Sequence, residues 1–185
     1  QWSSSDIFGF VKKSTLINNS SEKVQVTFLD GLQNILPSDV DTDLQNSRSN
    51  LVDAYKKSEL QLASGLGVYA LSAIIVDKAE PSEALKSNIV WSSGLHNPTH
   101  LISSLQLDDF RKGKEIFQEK DIKAEKGAYF ISKDICLESK SSKSWMFVAN
   151  VNQTISSIND ISEIIKSDVN LENLIQDDIK AETKH

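Results

Sequence analysis

Two hydrophobic periods divide this chain, and together they leave few folds open. Up to about residue 152 the apolar residues come in short runs that alternate with polar ones, and beyond it they recur every three or four positions. Val24-Gln25-Val26-Thr27-Phe28 is the clearest case of the first kind. A side-chain period of two places Val24, Val26 and Phe28 on one face and Gln25 and Thr27 on the other, as in a half-buried antiparallel strand. Ile155, Ile158, Ile161, Ile164 and Ile165 are the clearest case of the second. Strands first and helices last predict a mainly β chain: an antiparallel β-sandwich with C-terminal helices.

The strand-forming part can be followed in order. Residues 11–17 and 24–28 predict a hairpin across Asn18-Asn19-Ser20-Ser21-Glu22-Lys23, residues that bond their own backbone or tolerate left-handed conformations. The second strand is expected to stop at Asp30-Gly31. Residues 38–62 are rich in Asp, Asn, Ser and Lys; Leu51, Ala54, Tyr55 and Leu60 give a loose helical spacing, so a loop and a short helix are expected. Strand character returns at 67–76 and 88–92, joined by a connection over 77–86 that holds Pro81. Gly94 and Pro98 then break the chain, and the charged stretch that follows reads as an exposed excursion with a short helix, an insertion over 95–126. Residues 128–137 and 145–151 predict a second hairpin across a polar link at 138–143. Thr154 is a good N-cap for the isoleucine helix. Ser167-Asp168 separates it from a second stripe of Val169, Leu171, Leu174, Ile175 and Ile179. The expected division is a sandwich over 1–152 and a helical segment over 153–185.

A chain of 185 residues suits one domain and can bury a core without disulfides. Its net charge of −6 and pI near 5.1 argue against nucleic acid and against an anionic membrane surface. No apolar run approaches the roughly 20 residues needed to span a bilayer. The lone Cys136 sits in a strand-like stretch and reads as a small buried residue.

Candidate sites are few. Asp39-Val40-Asp41-Thr42-Asp43 opens like a calcium loop, but Leu44 stands where the sharp turn needs Gly and Asn50 where a bidentate Glu should be, so a solvated loop is the better reading. Trp91, followed by His96, Asn97 and His100, offers an aromatic face beside polar groups, the combination on which sugars stack and hydrogen-bond. A buried Trp at a strand end is the simpler reading. Pro98 between the two histidines opposes a helical metal pair. Asp30, Gln33, Asn34, Tyr55, Lys56 and Glu59 form a second polar set that can line a groove or serve turns. Asn18-Asn19-Ser20 and Asn152-Gln153-Thr154 match the glycosylation acceptor pattern. No glycine-rich phosphate loop or zinc spacing is present, and no catalytic residue, metal or cofactor is assigned.

Residues 24–37 (through Gln33-Asn34-Ile35-Leu36-Pro37), Ser49-Asn50-Leu51-Val52-Asp53-Ala54-Tyr55-Lys56, Asp77-Lys78-Ala79-Glu80-Pro81 with Val90-Trp91, and Trp145-Met146-Phe147-Val148-Ala149-Asn150 running into the isoleucine helix resemble one architecture. It is the N-terminal β-sandwich domain of bacterial multidomain carbohydrate enzymes of the cellobiose and chitobiose phosphorylase type, and the likeness covers most of the chain outside 95–126. The resemblance implies a galactose-mutarotase-like supersandwich followed by a helical linker and an (α/α) barrel that carries the chemistry. A start at Gln1-Trp2-Ser3 without Met and a charged helical tail fit the same expectation of a module from a longer protein. The implied role is non-catalytic: packing on the barrel, shaping its cleft, and joining a homodimer interface. A carbohydrate-binding module using Trp91, His96, Asn97, His100, Asn34 and Tyr55 is the alternative, with an oligosaccharide as partner, and a mutarotase-like enzyme is a third. The helical stripes are expected either to self-associate or to lie against the chain's own sheet.

Overall fold

The computed structural model describes residues 1–47, 49–72, 86–167 and 170–182. It is an antiparallel β-sandwich with a helical layer on one side. The elements run β1 (Trp2–Ser5), β2 (Gly9–Ile17), β3 (Val24–Ile35), α1 (Thr42–Ser47), α2 (Ser49–Tyr55), β4 (Lys56–Gln61), β5 (Leu66–Leu71), β6 (Ser87–Ser93), β7 (Thr99–Ser103), α3 (Leu107–Arg111), β8 (Asp121–Lys123), β9 (Gly127–Leu137), β10 (Ser142–Gln153), α4 (Ile155–Lys166) and α5 (Leu171–Glu182). The large sheet has the order β1-β2-β10-β6-β5-β4-β8 and the small one β3-β9-β7. None of the helices among the described residues is long and apolar enough to cross a membrane.

Both predicted hairpins prove to be arches. β2 pairs with β1 and β10, whereas β3 pairs with β9, so the 18–23 link crosses from one sheet to the other. The 138–141 link between β9 and β10 does the same. Alternation tells which face of a strand is buried, not which strand lies beside it, and such polar links can cover the roughly 10 Å between packed sheets. The two arches lie together and Asn18 joins them. Its Nδ2 donates to the carbonyls of Glu22 at 2.7 Å, Glu138 at 3.0 Å and Leu137 at 3.2 Å, and its Oδ1 accepts from Ser20. The first glycosylation match is therefore a buried structural amide.

The core between the sheets holds Leu60, Tyr69, Val90, Ile102, Tyr129, Ile131, Trp145 and Phe147. β3 does not stop at Asp30-Gly31. Asp30 turns inward, where it accepts from Lys12 Nζ at 2.6 Å and Trp145 Nε1 at 2.9 Å. Gly31 passes so close to β9 that a Cβ there would lie 2.0 Å from the Tyr129 carbonyl oxygen. Residues 56–60, expected to be helical, open β4 instead: their alternating side chains bury Lys56, Ser58 and Leu60. The charged segment after Pro98 is likewise no simple exposed excursion. It supplies β7, whose Leu101 and Ile102 are fully buried, the short α3, and β8 at the edge of the large sheet. Glu119 closes the free edge of β7 by accepting from the Ile102 and Ser103 amides at 2.8 and 2.9 Å. The predicted strand end at 73–76, nearly all of the 77–86 connection, and Val169 lie outside the described residues.

Most of the two helical stripes lies on the chain's own large sheet, while Ile155, Ile164 and Leu174 stay exposed. Ile158, Leu171 and Ile175 join Val11, Leu66, Ile89, Trp91, Met146 and Val148 in a second core on the sheet's outer face, with Ile161, Ile165 and Ile179 at its margin. Thr154 caps α4 as expected, accepting from the Ser157 amide. Asp178 pins α5 to the β1–β2 turn by accepting from the Ser5 hydroxyl and the Ile7 amide.

Candidate functional site

Strand register divides the sandwich into two ends. At the arch end lie the 18–23 and 138–141 links and the loop between β6 and β7. At the other, open end β3 and β10 finish while β4, β6 and β9 begin. The six residues singled out in the sequence do not meet. Trp91 is 1% exposed, on the outer face of the large sheet beneath the helices, edge-on to Phe8, so it cannot present a stacking face to a sugar. His96 and Asn97 are exposed at the arch end, where both carbonyls accept from Lys133. His100 lies on the face of β7 turned toward the large sheet, its ring edge-on to Tyr129 with centroids 5.7 Å apart. Burial lowers the His100 pKa below its ordinary value, and a contact with Gln118 offsets this only in part. Asn34 and Tyr55 share the open end, as His96 and Asn97 share the arch end.

The open end carries three hollows. Asn34 sits at a register shift between Gln33 and Ile35, with φ of 56°. Ala124, across from it, has φ of 59°. A left-handed backbone at a residue with a Cβ is a cost that the surrounding structure must impose, and such residues gather where geometry serves a purpose. Four of the six non-glycine residues with positive φ among the described residues are here: Asn34, Asp39, Ala124 and Asn152.

Lys56 forms the floor. As the first residue of β4 it points inward, a position that suits an apolar side chain, and it is only 3% exposed. A buried ammonium needs partners. The chain supplies Asp53 one helical turn earlier, at 2.7 Å, and Gln45 from α1, at 2.6 Å. Burial alone would raise the Asp53 pKa, but the hydrogen bonds from Lys56 and Gln45 and the charges of Lys56 and Lys126 outweigh it, so the carboxyl stays below its ordinary range. A pocket of about 250 Å³ opens beside this cluster, lined by Asn34, Ile35, Leu36, Gln45, Lys56 and Lys126. A second, of about 350 Å³, shares Asn34 and Lys126 with it and includes Asp53, Ser104 and Ala124. A third, of about 420 Å³, lies farther along the same end between Pro37–Asp41, Asn88 and Asn152. Its amides are ordered by bonds from Ser38 to Asn152, from the Asn152 amide to Asn88, and from Asn88 to the Leu36 carbonyl.

The acidic run at 39–43 also belongs here, and it is a helix start. Asp41 Oδ1 accepts from the Leu44 amide at 2.7 Å, capping α1. Among the described residues no three His, Cys, Asp or Glu side chains come together to hold a metal ion.

A larger groove, about 620 Å³, is elsewhere, on the outer face of the small sheet under the α3 segment. Its polar groups are mostly committed to one another: Arg111 to Asp108, Lys114 to Asp109, and Thr27 to Asp134. The open end, with a buried charge at its floor, is the better candidate site despite its smaller cavities. Gln45, Asp53 and Lys126 were not legible in the sequence as parts of one site, because α1, α2 and the β8–β9 link meet only through sheet topology. No protein-family model matches the chain, and no curated protein is similar enough to count as a relative.

Proposed function

We propose that this chain is a non-catalytic β-sandwich module of a larger carbohydrate-active protein, of the glycoside phosphorylase or hydrolase kind. In this reading its open end forms one wall of a saccharide cleft. The observation that carries the reading is the gathering, at this one end, of three adjoining concavities, four left-handed non-glycine residues and a row of amide side chains at Asn34, Asn88 and Asn152. Amides that both donate and accept suit sugar hydroxyls. Carbohydrate as the ligand class comes from the resemblance of residues 24–37, 49–56 and 145–150. The charges paired within the fold support a non-catalytic role. Lys12 with Asp30 and Glu119 with the β7 amides serve the fold, whereas a general acid or base must reach a substrate proton.

The test is an NMR titration of the chain with β-linked gluco-oligosaccharides. Shifts concentrated at the side-chain amides of Asn34, Asn88 and Asn152 are expected. Shifts centred on His96 and Asn97 at the arch end, or none at millimolar ligand, would remove the reading.

A further inference from the structure

We propose that the pocket beside Lys56 binds the carboxylate of a small sugar acid, with Lys56 and Lys126 as its cationic partners and Ile35 and Leu36 as its apolar wall. The inference rests on the reading of the open end as the saccharide-facing one and adds a ligand charge and size to it.

Three observations carry it. The first is the unused bonding capacity of Lys56. An ammonium has three N–H donors. Lys56 makes two hydrogen bonds, to Gln45 and Asp53, while its side chain borders the pocket and is otherwise shut off from water. That leaves one N–H without a partner among the described residues, and the pocket lies beside it.

The second is charge. Both ionisable groups lining the pocket are lysines. Asp53 and Glu125 line only the adjoining cavity, where Asp53 pairs with Lys56, and Lys126 forms no ion pair with any described residue. The lining of this pocket itself is therefore cationic, which suits a carboxylate. Charge-assisted bonds are stronger than neutral ones, more so in a partly enclosed pocket than in water.

The third is shape and polarity. About 250 Å³ suits a single sugar ring and not an extended chain. Ile35 and Leu36 give the lining apolar groups and Asn34 gives it a hydrogen-bonding amide, a mixture that suits a pyranose. The left-handed backbone of Asn34, at φ 56°, fixes where its amide stands at the mouth.

The experiment is a set of NMR and calorimetric titrations of the chain with glucuronate, glucose and acetate. Glucuronate is expected to saturate, shifting Asn34, Lys56 and Lys126, and to bind about tenfold or more tightly than either of the others. Lys126→Ala, at an exposed position, should weaken glucuronate about tenfold and leave glucose unchanged. Lys56→Met should abolish binding; because that variant could also unfold, Asn34→Gly, which keeps the backbone conformation, is the companion and should weaken glucuronate with no loss of folding. Glucose binding as tightly as glucuronate would overturn the charge assignment, and acetate doing so would overturn the sugar. No saturable glucuronate binding would overturn the site itself. Neutral oligosaccharide shifts at Asn88 and Asn152 alongside a silent glucuronate titration would sink this inference and leave the proposed function standing.

Discussion

Replacing Ile175 by Ala asks where the C-terminal helices belong. Ile175 is fully buried among Trp91, Val148, Ile158 and Leu171, on the face of α5 turned to the large sheet. The substitution removes three carbons, worth roughly 2.4 kcal/mol of transfer free energy at about 0.8 kcal/mol each. The cavity left behind adds to this, and the better helix propensity of Ala returns some tenths. A loss of about 3 kcal/mol is expected, against a total stability of about 5–15 kcal/mol for a domain. Leu174, its neighbour in sequence, stands about 100° round the helix and is 46% exposed, so Leu174→Ala should cost about 1 kcal/mol or less. Urea unfolding followed by circular dichroism reads both, with an unchanged slope showing that the helices and sheets still unfold together. Equal, small losses for the two variants would refute the docking of α5 on the large sheet. The stripe would then need a surface outside this chain.

Two further perturbations probe the sandwich itself. Asn18→Ala should cost about 1–3 kcal/mol, because it removes the buried amide that ties the two arches together, although the Glu22 and Glu138 carbonyls keep bonds from Ser20 and Ser141; a loss below about 0.5 kcal/mol would mean water replaces the amide freely. His100 sets a pH dependence. Its native pKa lies below the ordinary 6.5, so as pH falls the unfolded chain takes up the proton first, and the His100 contribution is intact above about pH 6.5 and declines between there and the lowered native value. The urea midpoint should fall over this window, and His100→Gln should flatten it. An unchanged slope in His100→Gln would show that the ring is solvated.

How much of this was legible follows from what each signal reports. The period of two located most strands, and the period of three to four located both long helices and the cap at Thr154. Those signals are local and survive any tertiary arrangement. Pairing is not local. Val11 and Val26 read as parts of one hairpin because only a short turn separates them, yet Val11 pairs with Val148 and Val26 with Ile135. The interval that misled most was 49–60. Lys56 looks polar and helical by its neighbours, and its burial becomes intelligible only once Asp53 and Gln45 are seen at its ammonium. Gly31 likewise reads as a strand stop, and it is instead the one residue small enough for that crossing.

The same distinction explains why the candidate site was half seen. Aromatic and histidine side chains draw attention in a sequence, and here they serve packing: Trp91 fills the layer beneath the helices and His100 the space between the sheets. What the fold leaves available lies where strands end and the backbone must turn. At the open end the turns are made by Asn34, Asp39, Ala124 and Asn152 in left-handed conformations, and the side chains they set facing outward are mostly short and polar. At the arch end the corresponding links are tied down by Asn18, and Ser139 and Lys140 bond across to the other arch. The open end also bonds some of its loops internally, through Asn88 and Asn152, but unlike the arch end it keeps hollows beside them.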